Sequence, residues 1–366
     1  MLTPCPECKV PEFISREHLW LDNGEIVQAR EQRHRMVFID CENLDPIFQA
    51  IEEAIGESIE PLVMTCVRIN VRSYLNLFMP PEMRDVILSQ SLDYKPIDDN
   101  FRNSAKAMGY GRYDFVDLRF EKGQADYCAV CLTEPFSLPM GVASHIAAVE
   151  AILHVNHDAV YTELEPRVYD ITAFPRDHDR ELLKRLVLEY YSHEDGDVEL
   201  ERCPSCQSPT ALSGYKWYID RGIILNEFTR RRMAMVSPQE LDPVFDALEK
   251  EHGDAVPHAV IEASRRFTRT GFYSMEDIAN EGDFRTQLAG RGMGNLRDFA
   301  VSRSGFRMRL ANAVLPLISV GIAQGMFEMA FDVESNVDWE FTEDKLLKVD
   351  VTPQSTKKAP SFTPTL

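Results

Sequence analysis

The sequence predicts an α+β protein made by tandem internal duplication, each half a zinc-ribbon-like β-hairpin followed by helices packed on an antiparallel sheet. Three echoes carry this expectation. Cys-Pro-Glu-Cys at Cys5–Cys8 returns as Cys-Pro-Ser-Cys at Cys203–Cys206. Leu19-Trp20-Leu21-Asp22-Asn23-Gly24-Glu25-Ile26 returns as Trp217-Tyr218-Ile219-Asp220-Arg221-Gly222-Ile223-Ile224, and Leu44-Asp45-Pro46-Ile47-Phe48 as Leu241-Asp242-Pro243-Val244-Phe245. Segments that recur in the same order mark a repeated structural unit, and mixed helical and strand patterns within each unit give the α+β class. With 366 residues and 44% hydrophobic content, the chain is long enough to bury more than one core.

The predicted organisation is a first hairpin over 1–43, a first α+β body over 44–176, an added helix and acidic linker over 177–197, a second hairpin over 198–239, a second body over 240–352 and a tail over 353–366. Asp22-Asn23-Gly24 is a strong hairpin turn and Asp220-Arg221-Gly222 a looser one; the second arms run over 27–39 and 224–236. A helix follows in each copy. Asn43 or Asp45 caps the first, Pro46 sits in its opening turn, Ile47, Phe48, Ile51 and Ile55 form one stripe, and Gly56 stops it. Val244, Phe245, Leu248 and Gly253 repeat that pattern.

A second helix over 60–78 aligns with 257–272, and two short helical stretches between 81 and 108 shrink to 274–288 in the second copy. Gly109-Tyr110-Gly111 and Gly292-Met293-Gly294 then open strands at 113–120 and 296–302. In the first copy an apolar strand at 128–132 leads to a helix over 141–153, with Val142, Ile146, Val149 and Leu153 facing inward; its counterpart spans 319–331. Hairpins at 159–164 with 167–171, and at 337–341 with 346–351, close the two copies. Leu182, Leu183, Leu186 and Tyr190 give 177–191 helical spacing without a partner in the second copy, and 193–197 is acidic. The tail holds Pro, Ser, Thr and Lys without periodicity, the mark of a flexible segment or of an arm ordered by a partner.

Cys-Pro-x-Cys forms the tight knuckle in which two sulfurs face one ion, and one knuckle is half of a tetrahedral site. No second cysteine pair follows at ribbon spacing within either hairpin, and neither Cys41 nor Cys66 has a cysteine counterpart. The economical solution is one metal held by Cys5, Cys8, Cys203 and Cys206 together. Zinc is the expected ion, with iron allowed by the same four-sulfur cage. Separate ions with local ligands and a redox dithiol are the alternatives; neither motif follows the strand of a βαβ unit, as thioredoxin-like chemistry requires. Such a closed cage is structural. Cys128 and Cys131 form a third Cys-x-x-Cys, but on a strand two residues three apart face opposite sides.

Lys and Arg number 39 against 59 Asp and Glu, a formal charge of −20, which argues against nucleic acid as a partner. The longest apolar run, 313–323, is too short to enter a membrane as a span. The opening residues have neither a basic nor an apolar stretch, and sparse cysteines without export signals fit a reducing cytoplasm.

Arg68 and Arg72 lie one helical turn apart, Arg265 and Arg269 take the same places in the second copy, and Arg33 matches Arg231. Paired guanidinium groups clamp a carboxylate or a phosphate, so these six residues are either ion-paired internally or an anion-binding set. Glu150, His154 and His157 form a metal-ligand face only if their helix persists past Leu153, where the sequence turns. The Gly-x-Gly triplets follow helices and precede strands, the wrong order for a dinucleotide fingerprint.

The downstream part of each half resembles the small-molecule-binding 4-vinyl reductase domain. The matching residues are Gly109–Phe120 with Glu134-Pro135-Phe136-Ser137-Leu138-Pro139, Gly141 and Glu150, and Gly292–Ser302 with Asn312-Ala313-Val314-Leu315-Pro316, Gly321, Gly325 and Glu328. The resemblance covers roughly half of each copy and implies sensors or accessory proteins that hold hydrophobic or tetrapyrrole-like ligands between helices and sheet. It places a cavity between the second helix and the 141–153 helix, with Arg68 and Arg72 at its mouth, and the same arrangement around Arg265, Arg269 and the 319–331 helix. Three functions follow as expectations. The first is a metal-stapled protein binding a hydrophobic or anionic small molecule, or acting as an accessory or regulatory factor with a protein partner or as a homo-oligomer. The second is an enzyme with a pocket in one half or between the halves, and the third a structural subunit of a larger complex.

Overall fold

The computed structural model describes residues 2–79, 82, 85, 86, 89, 95–188, 190, 191, 193–271 and 281–354. The tail past residue 354, residues 274–280 of the stretch expected over 274–288, and many of residues 81–94 in the stretches expected between 81 and 108 lie outside the described residues.

Each half opens on a cysteine knuckle closed by a β-bridge, Pro4 with Pro11 and Arg202 with Pro209. The first half continues through α1 (Glu12–Glu17), β1 (His18–Trp20), β2 (Ile26–Gln28), β3 (Arg35–Asp40), α2 (Leu44–Ile55), α3 (Glu60–Asn76), α4 (Lys95–Met108), β4 (Arg112–Arg119), β5 (Tyr127–Thr133), α5 (Leu138–Leu153), β6 (His157–Glu165) and β7 (Val168–Pro175). A short α6 (Arg180–Arg185) leads to the second half: β8 (Tyr215–Tyr218), β9 (Ile223–Asn226), β10 (Arg232–Val236), α7 (Asp242–His252), α8 (Ala255–Arg269), α9 (Glu281–Arg291), β11 (Asn295–Ser302), β12 (Gly305–Ala311), α10 (Pro316–Phe331), β13 (Ser335–Phe341) and β14 (Leu347–Pro353). The class is α+β, with three antiparallel sheets. One runs β1-β2-β3-β10-β9-β8 and joins the two halves; the others run β4-β5-β7-β6 and β11-β12-β14-β13, the same order in each body.

Two sequence expectations change. The arms expected over 27–39 and 224–236 each fold back once. Arg30, Glu31, Gln32 and Arg33 form a polar turn between β2 and β3, closed by the Gln28 amide donating to the His34 carbonyl at 3.0 Å, and Asn226 donates to Arg231 at 2.9 Å in the second half. Four charged or amide side chains in a row cannot lie in a buried strand without partners. The helix expected over 177–191 covers only Arg180–Arg185: Leu186 is extended, with φ −91° and ψ 125°, and is buried against the core. The chain then reaches across to Asp242, whose carboxylate accepts from the Tyr191 hydroxyl.

The hairpin glycines hold the middle of the molecule. Gly24 has φ +79°, and a Cβ there would stand 2.2 Å from the Gly294 carbonyl oxygen; at Gly222, with φ +63°, it would stand 2.0 Å from that of Gly111. Only a glycine fits such a contact at positive φ. Each hairpin therefore lies on the body of the opposite half. Trp20 Nε1 donates to Gly290 O and Trp217 Nε1 to Ala107 O, both at 3.0 Å. The sequence echo sets Trp217 against Leu19, but the ladders pair Trp20 with Ile26 and Trp217 with Ile224, so the two tryptophans are level.

The same shift brings Arg35 level with Arg232, in place of the expected match of Arg33 with Arg231. Val27 pairs with Arg35, and Leu225 with Arg232. Arg35 is fully buried; it donates to Asn312 O at 2.8 Å and meets Glu25 at 3.1 Å. Arg232 donates to Glu134 O at 2.6 Å and Pro135 O at 3.0 Å. These arginines tie each hairpin to the chain just ahead of the opposite long helix.

Candidate metal centre and cavity

The two knuckles meet. The Sγ atoms of Cys5 and Cys203 are 3.8 Å apart and those of Cys8 and Cys206 are 3.4 Å apart. All four lie within 4.8 Å of one another. A tetrahedron with metal–sulfur bonds near 2.3 Å has sulfur–sulfur edges of about 3.8 Å, so the four cysteines fit one ion. A disulfide needs about 2.05 Å, and all eight cysteines are free thiols.

Each turn is built for the task. Lys9 at φ +65° and Gln207 at φ +64° reverse the chain after the second cysteine, and their amides donate back to Cys5 O and Cys203 O at 3.1 and 2.9 Å. The Cys8 amide favours a thiolate at Cys5 and holds it down to about 7, whereas burial pushes the Cys8 thiol well up. Four crowded sulfurs cannot all ionise without a cation among them.

The remaining cysteines stay apart. Cys41 and Cys66 are buried, with their thiols directed at the Arg232 and Gln239 carbonyls, and burial pushes Cys41 up to about 12. Cys128 and Cys131 lie on β5 and pair across to Ala173 and Asp170.

The paired arginines clamp internal carboxylates. Arg72 reaches Glu150 at 3.3 Å, with Arg68 at 3.9 Å; Arg265 reaches Glu328 at 2.6 Å and Arg269 the same carboxylate at 3.2 Å. Glu150 and Glu328 sit near the ends of α5 and α10, and their second oxygens accept the amides of His157 at 2.8 Å and Ser335 at 3.0 Å. Glu150, His154 and His157 do not form a ligand face. His154 caps α5 in the left-handed region, and the His157 ring turns to the Val155 carbonyl at 2.7 Å. Arg33 pairs with Glu31 at the surface, and Arg231 stacks 4.1 Å over Phe267. The six arginines do not converge on one site.

A cavity of about 80 Å³ lies in the first half between α3, α4 and α5, bordered by β4 and β5 and closed on one side by Ser237 and Glu240 of the second half. In the second half the corresponding place holds about 10 Å³. Phe267 stands there for Asn70 and Ile322 for Ser144. Arg291 stands for Met108 and is fixed to Phe38 O at 3.0 Å and Asp40 at 3.1 Å. Asn43 precedes Leu44-Asp45-Pro46 as Glu240 precedes Leu241-Asp242-Pro243. One half keeps the space and the other fills it.

Sequence reasoning did not find Glu240, Tyr74 or Gln28 among the site residues. No helix among the described residues is long and apolar enough to cross a membrane. Comparison of the chain with protein-family models, with curated proteins and with solved structures finds no match in any of the three.

Proposed function

We propose that the chain is a tandem duplication stapled by one structural zinc ion at Cys5, Cys8, Cys203 and Cys206, and that it is a small-molecule-binding protein of the accessory or regulatory kind. The single observation that carries the binding role is the unequal pair of cavities, about 80 Å³ in one half and about 10 Å³ in the other. A core under no demand except stability closes its voids, because each loses contacts on its lining. The matched strand orders and matched knuckles support the duplication. Four sulfurs and no other donor favour zinc among the ions of a reducing compartment. A filled tetrahedron leaves no place for a substrate, so the ion holds the halves and the cavity holds the ligand.

The cavity lies between the two helices that the resemblance to the 4-vinyl reductase domain places around a ligand, which supports that kinship. Its size does not suit a tetrapyrrole, and Arg68 and Arg72 are engaged by Glu150 rather than standing at its mouth.

Two measurements test the reading. Elemental analysis should find about one zinc per chain, lost in the Cys5→Ser/Cys8→Ser double variant; a full ion retained there would refute the shared cage. Ligand-observed NMR with small aromatic fragments should show binding to the intact protein and none to Asn70→Phe/Ser144→Ile, which copies the filled half. Equal binding by both would remove the cavity as the site.

A further inference from the structure

Buried polar atoms without hydrogen-bond partners cost about 1–3 kcal/mol each; on the cavity lining these are Asp98 Oδ2 and Arg102 Nε, which belong to one ion pair, and three atoms outside it. Gln28 Oε1 comes from β2, the Tyr74 hydroxyl from α3 and Glu240 Oε2 from the turn ahead of α7; none has a hydrogen-bond partner. Their residues are 3%, 9% and 3% exposed. Most of the neighbouring polar groups are committed, Arg102 Nε excepted. Arg102 meets Asp98 at 2.7 Å and Asp99 at 2.6 Å, His145 Nε2 lies on the Cys128 carbonyl, and the Ser144 hydroxyl donates to Met140 O at 2.8 Å. Glu240 uses Oε1 on the amide of Ser237, and it has no ion pair among the described residues.

Two of the three orphan atoms accept hydrogen bonds, and the third does either. What fits them is a donor-rich head. The apolar part of the wall is supplied by residues such as Val71, Leu75, Phe101 and Val130. A volume of about 80 Å³ holds about five to eight water-sized groups, the size of one ring with a short substituent.

We propose that the cavity takes a compact apolar amine, whose N–H groups donate to Glu240 and Gln28 while its ring or branched hydrocarbon packs between α3 and α5. This rests on the reading of the cavity as a ligand site and names the class of ligand. An ammonium head supplies the counter-charge with which Glu240 can ionise. The filled counterpart agrees. Asn43 stands where Glu240 does; it carries no charge, and its Nδ2 donates to the Ser264 hydroxyl at 3.3 Å while its Oδ1 has no partner. The acid and the space occur together and are absent together. Burial pushes the Glu240 carboxyl up to about 8, as a carboxylate without a cation requires.

The test is a matched panel on the full-length, zinc-loaded protein: benzylamine, benzyl alcohol, toluene and benzoate, with dissociation constants from ligand-observed NMR. Benzylamine should bind at least ten times more tightly than toluene or benzoate. Glu240→Gln should lower its affinity at least tenfold while changing that of toluene less than twofold. Gln28→Leu should weaken the amine in the same direction and serves if Glu240→Gln does not fold. Toluene or benzoate binding as tightly as benzylamine would overturn the amine assignment and leave the cavity as a ligand site. An amine preference that survives both substitutions would overturn the roles of Glu240 and Gln28. Failure of every probe to bind would overturn the ligand site itself.

Discussion

A buried carboxylate near the end of each long helix is held by two arginines that are themselves partly exposed. Glu328 takes Arg265 at 2.6 Å and Arg269 at 3.2 Å, and its other oxygen accepts the Ser335 hydroxyl at 2.8 Å. Without that acid Arg265 keeps Glu262 at 2.7 Å and Arg269 keeps Glu334 at 2.9 Å, so the loss is that of the charged hydrogen bonds of one buried carboxylate, about 1–3 kcal/mol. Glu328→Gln should therefore lower the denaturant-unfolding free energy by that amount, and a loss under 1 kcal/mol would show the cluster to be solvent-screened. The arginine pairs were legible at helical spacing, but their acid was not, because Arg72 and Glu150 are 78 residues apart. A second residue-scale consequence concerns pH. Burial raises Glu240 to about 8 and Asp242 to about 7. Unfolded, these groups lose their protons near pH 4, so between about pH 4 and 8 the native state holds protons that the unfolded state releases. Stability then falls as pH rises through that window, by at most about 1.4 kcal/mol per pH unit for each group, and levels off above it. Thermal melts of Glu240→Gln should show a shallower decline from pH 5 to 8 than wild type; an identical decline would mean that Glu240 is ionised throughout.

Helix against helix, the two bodies solve the same packing problem with different residues. A Cβ added at Gly321 would meet the Ile261 carbonyl oxygen at 2.4 Å, and one at Gly325 the Thr268 Cβ at 2.7 Å, so α10 approaches α8 closely because these positions have no side chain. Counting back from the matched glutamates Glu328 and Glu150, α5 has Ala143 and Ala147 there, both fully buried. The α3–α5 crossing thus already accommodates a methyl group where the α8–α10 crossing does not. Gly321→Ala should cost about 1–3 kcal/mol through overpacking, outweighing the helix-propensity gain of about 1 kcal/mol, with the loss visible in chemical denaturation. An equal or stabilised variant would mean that the helices part without penalty. Both long helices were legible from their apolar length, and the expected inward residues Val142, Ile146, Val149 and Leu153 are all buried, but the full extent of the buried surface was not legible. α5 is buried nearly all round, including His145 and Glu150 as well as the expected Val142 and Ile146, and a helix without a solvent face offers no period to read. The added helix misled for the opposite reason. Its leucine spacing was helical, yet Leu186 is buried from an extended chain.

The whole molecule depends on an exchange that repeated sequence alone does not disclose. The echoes reveal two similar halves, and the missing second cysteine pair in each reveals that neither knuckle is a complete site. Which body each hairpin covers is fixed by contacts as distant as Trp20 with Gly290, 270 residues apart. Because Trp20 and Arg35 dock on the second body while Trp217 and Arg232 dock on the first, each half separated from the other would lose more than an interface. The β3 edge would lie bare without β10, the fully buried Arg35 would lose the Asn312 carbonyl, and two thiols would face no partners. Loss of one ladder, one buried cation's acceptor and the proposed metal ion together is comparable with the about 5–15 kcal/mol that stabilises an ordinary domain. Fragments 1–197 and 198–366 expressed separately should therefore lack fixed tertiary structure by near-ultraviolet circular dichroism. Mixed in equal amounts with zinc they should regain it and elute as a one-to-one complex, and the Cys5→Ser/Cys8→Ser form of the first fragment should reassociate more weakly. A well-dispersed NMR spectrum from either fragment alone would show that its hairpin folds on its own body, and the exchanged arrangement would then be wrong.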